Sequence, residues 1–158
     1  EELGAIIRRS ASILGASTTT DGAEAIPRRA RGTPRIANRL LRRVRDYAQV
    51  KADGIVTGEV AVRALDQEGV DEAGLDRLDR RFLTAIIEQY KGGPVGLDAI
   101  AATINDEAET LAEVVEPFLL KIGYVVRSPN GRKATAAAYA HLGHALPASA
   151  GGQGQLPL

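Results

Sequence analysis

At 158 residues the chain is long enough for one compact domain or for two small ones of roughly 70 to 80 residues each, and a change of character near residue 70 favours two. No apolar stretch approaches the roughly 18 residues of a membrane-spanning helix, which predicts a protein without membrane contact. The absence of cysteine excludes disulfides, thiolate catalysis and zinc knuckles, and suits a reducing, cytoplasmic compartment. The chain opens on Glu1-Glu2 with a helical pattern instead of the basic-then-apolar layout of an export signal, and the missing initiator Met points to a truncated start.

Leu3, Ile6, Ile7, Ala11 and Leu14 recur at helical spacing, and Gly15 is placed to end that helix in a left-handed conformation. Asp21 with Glu24 three residues on reads as a capping pair for a second helix, 22–30, in which Pro27 is expected to cause a kink or an early stop. The third helix is the clearest: Thr33 caps it, Pro34 takes the first position, where its missing N–H costs nothing, and Ile36, Leu40, Leu41, Val44, Tyr47 and Ala48 form one apolar stripe. Its opposite side carries Arg35, Arg39 and Arg42. A fourth helix is expected after Thr57, with Val60, Ala64 and Leu65 inward, so that residues 1–70 form a small four-helix bundle.

Beyond the polar residues 71–74, a strongly periodic helix carries Leu75, Leu78, Phe82, Leu83, Ile86, Ile87 and Tyr90 on one face and stops at Gly92-Gly93-Pro94. Leu97 to Ile104 forms the next helix. Leu111 to Phe118 forms another, bent or interrupted at Pro117. Tyr124 to Arg127 then reads as a strand, Ser128 to Gly131 as a tight turn and Arg132 to Thr135 as the returning strand. Three helices followed by a hairpin give a winged-helix domain over 71–146. Residues 147–158, rich in Gly, Ala, Ser, Gln and Pro, are expected to be a disordered tail. The fold class is therefore mainly α, a four-helix bundle followed by a winged helix with a small β-hairpin wing.

The balance of 20 basic and 20 acidic residues hides a segregation of charge. Nine basic residues against a single acidic one, Asp46, fall between Arg28 and Lys51. The region from Glu59 to Glu116 is acidic in balance, and that from Lys121 to Lys133 is wholly basic. Two basic surfaces able to meet phosphate are implied. The segment Arg31-Gly32-Thr33-Pro34-Arg35 adds a helix start, where free N–H groups and the helix dipole favour anions, to a guanidinium in the first turn. On pattern alone a phosphate contact and a solvated arginine face both stay open. Arg127 and Arg132, flanking the wing turn, leave the same choice between phosphate contact and mere solubility.

The chemistry that the chain lacks is also informative. No Gly-rich phosphate loop with Lys-Ser/Thr and no acidic Walker B strand is present, and Gly92-Gly93-Pro94 reads as a turn. His141 and His144 lack the further ligands a metal requires, so no metal site is expected. Asp76 with Asp79, and Asp106 with Glu107 and Glu109, read as cap and first-turn carboxylates. No nucleophile with its base stands out, so no catalytic residue is assigned within the chain.

At Arg31 to Arg43 the sequence resembles the small ATPase domain of the RuvB family, Holliday-junction motors of the AAA+ class, in which Gly32-Thr33-Pro34-Arg35 matches the sensor-2 motif. Gly92 to Leu97 with Ala101-Ala102, and Glu116 to Leu119 leading to Gly123 and Arg127 to Arg132, resemble the same family in the same order, and the likeness runs from about Leu3 to His141. It implies a nucleotide-sensing lid, residues 1–70, and a DNA-binding head, residues 71–146, of an ATP-dependent branch-migration helicase acting in DNA recombination, DNA repair and the SOS response. It further implies that Arg35 meets the γ-phosphate of ATP, that Pro34 packs near the adenine, and that Mg2+ is held by a large ATPase domain upstream of this chain. Arg127 and Arg132, by likeness to the Thr-Pro-Arg-Gly-Arg wing of the family, are implied to contact the duplex arms of a Holliday junction without reading sequence. A homohexamer and a RuvA-like partner bound through the large domain follow from the same resemblance, and the 158-residue piece alone is expected to be inactive. Asn130 stands where the wing usually has a further arginine and Ala108 where some relatives carry a basic side chain, which implies a weaker DNA grip. Pro27 replaces a helical site of the relatives. A winged-helix transcription regulator and another AAA+ initiator-like DNA-binding fragment remain the alternatives, and the acidic third helix of the winged domain, Asp106 to Glu116, argues against base reading in a groove.

Overall fold

The computed structural model describes residues 2–147. Apart from Pro147, the expected tail of 147–158 lies outside the described residues. The fold is mainly helical and forms two compact units that divide between Arg77 and Leu78. No helix among the described residues is long and apolar enough to cross a membrane.

The first unit contains α1 (Glu2–Ile13), β1 (Ser17–Thr18), α2 (Thr20–Arg28), α3 (Pro34–Lys51), β2 (Ile55–Val56) and α4 (Gly58–Gln67). Its core is built from Ile7, Ile26, Leu41, Val44 and Leu65, each without solvent exposure, filled in by Ala23, Ala30, Ala37, Ala48, Ala61 and Ala64. Burying each of the larger side chains stabilises the unit by about 1.5–3 kcal/mol. The many alanines let helix backbones approach where bulkier residues would hold them apart.

The start of α2 differs from the expected Asp21/Glu24 capping pair. Thr19 is the N-cap, its side chain accepting from the Gly22 N–H, and its hydroxyl also donates to Asp21. That hydroxyl, ahead of smaller contributions, holds the exposed Asp21 carboxyl below its usual range. Gly22 is needed for space: a Cβ there would lie 2.2 Å from the Val56 carbonyl oxygen. That close approach seats α2 against β2, which pairs in parallel with β1 through Ser17 with Ile55 and Thr18 with Val56. Pro27 falls in the last turn of α2, and the helix ends at Arg28, as a proline that removes one bond and crowds the preceding turn dictates.

The second unit contains α5 (Arg77–Thr84), continued by a π-helical turn Ala85–Gln89, then α6 (Leu97–Ile104), α7 (Ala108–Thr110), a second π-helical turn Leu111–Val115, α8 (Glu116–Lys121), β3 (Val125–Ser128), β4 (Gly131–Ala134) and α9 (Ala136–His141). The bend or break expected at Pro117 takes the form of the second π turn. Pro117 has no N–H for the Glu113 carbonyl and its ring crowds that turn, so the helix widens there and continues. Asn105, left-handed at φ 54°, ends α6, a conformation that Asn tolerates better than most residues.

β3 and β4 form the wing, with Arg127 opposite Arg132 and Ser128 opposite Gly131, joined by Pro129-Asn130. A further bridge links Val95 with Arg132, through bonds of 3.0 Å from the Val95 N–H and 2.7 Å to its carbonyl. A Cβ at Gly131 would lie 2.5 Å from the Val95 backbone, and φ there is 131°, so only glycine lets this seam close. α9 was not anticipated. Thr135 caps it by accepting from the Ala138 N–H, and Tyr139 is buried within the unit.

Candidate nucleotide and nucleic-acid interfaces

Two local devices position the first candidate site. Arg31 and Gly32 both adopt left-handed backbone, φ 59° and 72°, and turn the chain sharply between α2 and α3. Pro34 then opens α3 at the position where a missing N–H is harmless. The expected side-chain cap from Thr33 does not form, so that hydroxyl does not occupy the N–H groups of the first turn. Arg35 is exposed in this turn, at the positive end of an 18-residue helix, where dipole and guanidinium both favour an anion. The structure brings Pro34 and Arg35 together as neighbours on an exposed edge.

Further along α3, Arg35, Asn38, Arg39, Arg42, Arg43 and Asp46 line a surface groove of about 730 Å3. Asp46 is engaged by Arg45 at 3.1 Å. Among the described residues no ion pair involves Arg35, Arg39, Arg42 or Arg43, so the groove carries four uncompensated positive charges.

The basic surface is narrower than the sequence suggests. Arg29 is 9% exposed; it bonds Asp66 at 2.7 Å and the Val70 carbonyl at 2.8 Å. Arg31, with its side chain 11% exposed, faces Asp76 at 3.6 Å. These two arginines hold the first unit together and are not available to a ligand.

In the second unit the wing places Arg127 and Arg132 directly opposite each other. Both reach the same carboxylate: Arg127 Nε donates to Glu116 Oε1 at 2.5 Å and Arg132 Nε to Glu116 Oε2 at 3.1 Å. Glu116 has no solvent exposure, while the Arg127 and Arg132 side chains are 62% and 25% exposed. The expectation that Glu116 joins the acidic outer face of the third helix is therefore corrected. That face consists of residues such as Glu107, Glu109 and Glu113, whereas Glu116 points beneath the wing. The sequence held one signal for it: Glu116 falls on the buried side of the helix with Leu111, Val115 and Leu119, a place where a lone carboxylate requires a cationic partner.

Asp79 lies in the first turn of α5, as read from the sequence, and is in addition fully buried. His141 packs its ring on Tyr124 at 5.2 Å, and His144 Nε2 lies 3.7 Å from Glu88.

Residues 1–71 match the model of the RuvB AAA lid domain and residues 72–143 that of the RuvB C-terminal winged helix domain. The Holliday junction branch migration complex subunits RuvB of Acidothermus cellulolyticus and Mycobacterium avium are each 56% identical to this chain over 98% of its length. The chain spans 42% and 44% of those two relatives. The solved Holliday junction branch migration motor RuvB of Thermotoga maritima superposes with a TM-score of 0.87 at 47% identity, covering 92% of this chain and 49% of that one.

Proposed function

The chain belongs to the RuvB family, as its AAA lid and C-terminal winged-helix domains, and on that premise we propose that it is the nucleotide-sensing lid and DNA-binding head of an ATP-driven Holliday-junction branch-migration motor. One observation carries the reading. Arg35 stands exposed in the first turn of α3, with no ion pair among the described residues, within the segment matched by the lid domain and in the Gly32-Thr33-Pro34-Arg35 sequence that resembles the sensor-2 motif. A guanidinium there suits the terminal phosphate of ATP by charge and by its bidentate fork, and exposed Pro34 offers an apolar face for the base. ATP, hydrolysed between this lid and the large ATPase domain, would supply the free energy of movement. This chain contributes Arg35 to hold and report its phosphate, while Mg2+ and the hydrolytic water belong to a large ATPase domain in the longer protein.

In this reading residues 1–70 are the lid and 71–146 the head. Arg127 and Arg132 meet the phosphates of duplex arms independently of sequence, the working assembly is a homohexamer in the cytoplasm, and a RuvA-like junction-binding protein docks on the large domain.

Two measurements test the proposal on the 158-residue chain. Purified, it should hydrolyse ATP no faster than buffer; turnover at a motor-like rate of roughly 1 s⁻¹ or above would place the catalytic machinery inside it. Duplex affinity titrated against salt should follow a log–log line, and Arg132→Ala should reduce its slope by at least about 0.9, the value for one lost phosphate contact. An unchanged slope would remove Arg132 from the interface.

A winged-helix transcription regulator is the competing reading. The exposed acidic side chains of the third helix, among them Glu107, Glu109 and Glu113, oppose it, because they would face the phosphate walls of a groove.

A further inference from the structure

The wing holds an arrangement that phosphate binding does not itself require. A buried carboxylate at the base of the hairpin is shared by two arginines from opposite strands, each bound through Nε. Nε is one of five donors on a guanidinium, so each arginine keeps its Nη groups for another anion. Among the described residues Glu116 is the only acidic partner of either. Glu116 has no access to water, and among the described residues its charge is met by these two guanidinium groups. Arg132 is also fixed by its backbone, which exchanges two bonds with Val95. Arg127 is the more exposed of the two and is tied to the base of the wing by its side chain.

We propose that Glu116 is a positioning residue for duplex binding, a shared counter-charge that holds both wing arginines by their Nε edges and makes them act as one phosphate-binding unit. The inference rests on the reading that Arg127 and Arg132 meet DNA phosphate. Its physical core is competition for a fixed charge. With both arginines present, one carboxylate is divided between two guanidinium groups, and a net positive charge faces outward. When one arginine is removed, the buried carboxylate takes the other into a two-bond pairing through Nε and Nη. That pairing cancels its charge and withdraws it from phosphate, so the loss of either arginine silences both.

The test is a duplex-binding salt titration of the 158-residue chain with Arg127→Ala, Arg132→Ala and the double substitution, each with Glu116 intact and with Glu116→Gln. With Glu116 present, each single substitution should lower the log–log slope by about 0.9, the one net charge that two arginines and one carboxylate present together, and the double by no more than either single. With Glu116→Gln, each single should lower it by about 0.9 and the double by about 1.8. Single losses of about 0.9 that add in the Glu116 chain would overturn the clamp and leave the phosphate reading standing. Slopes indifferent to every arginine substitution would overturn both. If Glu116→Gln does not fold, as read by circular dichroism, the single-versus-double comparison in the Glu116 chain decides alone. Nitrogen NMR of the Nε–H groups then gives an independent readout: Arg132→Ala should shift the Arg127 Nε–H resonance, and an unmoved resonance would count against the clamp.

Discussion

Replacing Arg35 by alanine in the full-length protein that carries this chain is expected to lower ATP hydrolysis roughly a hundredfold, in line with the loss of a donor aimed at developing charge in a closed site, while nucleotide binding weakens far less. The asymmetry follows from where the side chain sits. Arg35 is in the first turn of α3, beside N–H groups that Thr33 leaves uncapped, and the dipole of the helix still attracts phosphate after the guanidinium is gone. What disappears is the bidentate grip that strengthens as charge spreads over the γ-phosphate oxygens. Arg35→Lys keeps the charge without the planar fork and should recover binding more fully than hydrolysis. Arg63→Ala, which removes an exposed arginine paired with Glu59 one turn away, serves as the control and should leave the rate unchanged. Hydrolysis and nucleotide affinity measured side by side decide the matter. An Arg35→Ala protein that hydrolyses ATP and migrates branches at the normal rate would end the sensor role.

The second large effect concerns stability. Phe82 has no solvent exposure and is the largest fully buried side chain of the described residues; the chain contains only two phenylalanines and no tryptophan. Phe82→Ala should therefore cost about 3–5 kcal/mol, at the upper end if the surrounding helices cannot close the cavity. For a unit of this size each kcal/mol shifts the melting temperature by about 4–8 °C, so the melting temperature of the second unit should fall by about 12–40 °C. Hydrogen exchange across residues 78–147 is the direct measurement, since it reports where protection is lost. Phe82→Leu, which nearly conserves volume, should cost less than about 1.5 kcal/mol. A Phe82→Ala protein within about 1 kcal/mol of the parent would show that this side chain does not organise the core.

Much of the architecture was legible because single helices announce their own faces. In α3, Pro34 marks the start, and Leu40, Leu41, Val44 and Ala48 fall at helical spacing; all four are buried. The wing turn was equally readable, since Ser128-Pro129-Asn130-Gly131 interrupts two short extended runs. What escaped depends on partners distant in sequence. β1 and β2 have two residues each, too few for alternation to register, and exist because Ser17 meets Ile55. Arg29 looked like one more cation in a basic run until Asp66 and the Val70 carbonyl closed around it. Glu116 looked like one more acid among Asp106, Glu107, Glu109 and Glu113, and its burial is made tolerable only by Arg127 and Arg132. The candidate arginines themselves were found by motif, and the constraint linking two of them was not.

The parallel pairing of β1 with β2 has a consequence for how the first unit is made. A pairing that joins Ser17 to Ile55 encloses all of α2 and α3 between its ends, and non-local parallel pairing of this kind is slow compared with helix formation. During synthesis the Ser17-Thr18 edge has no partner, and α2 no Val56 carbonyl to pack against, until residue 56 has cleared the ribosome. The individual helices can flicker into existence as they emerge, but the β1–β2 pairing and the seating of α2 against Val56 have to wait for that late residue.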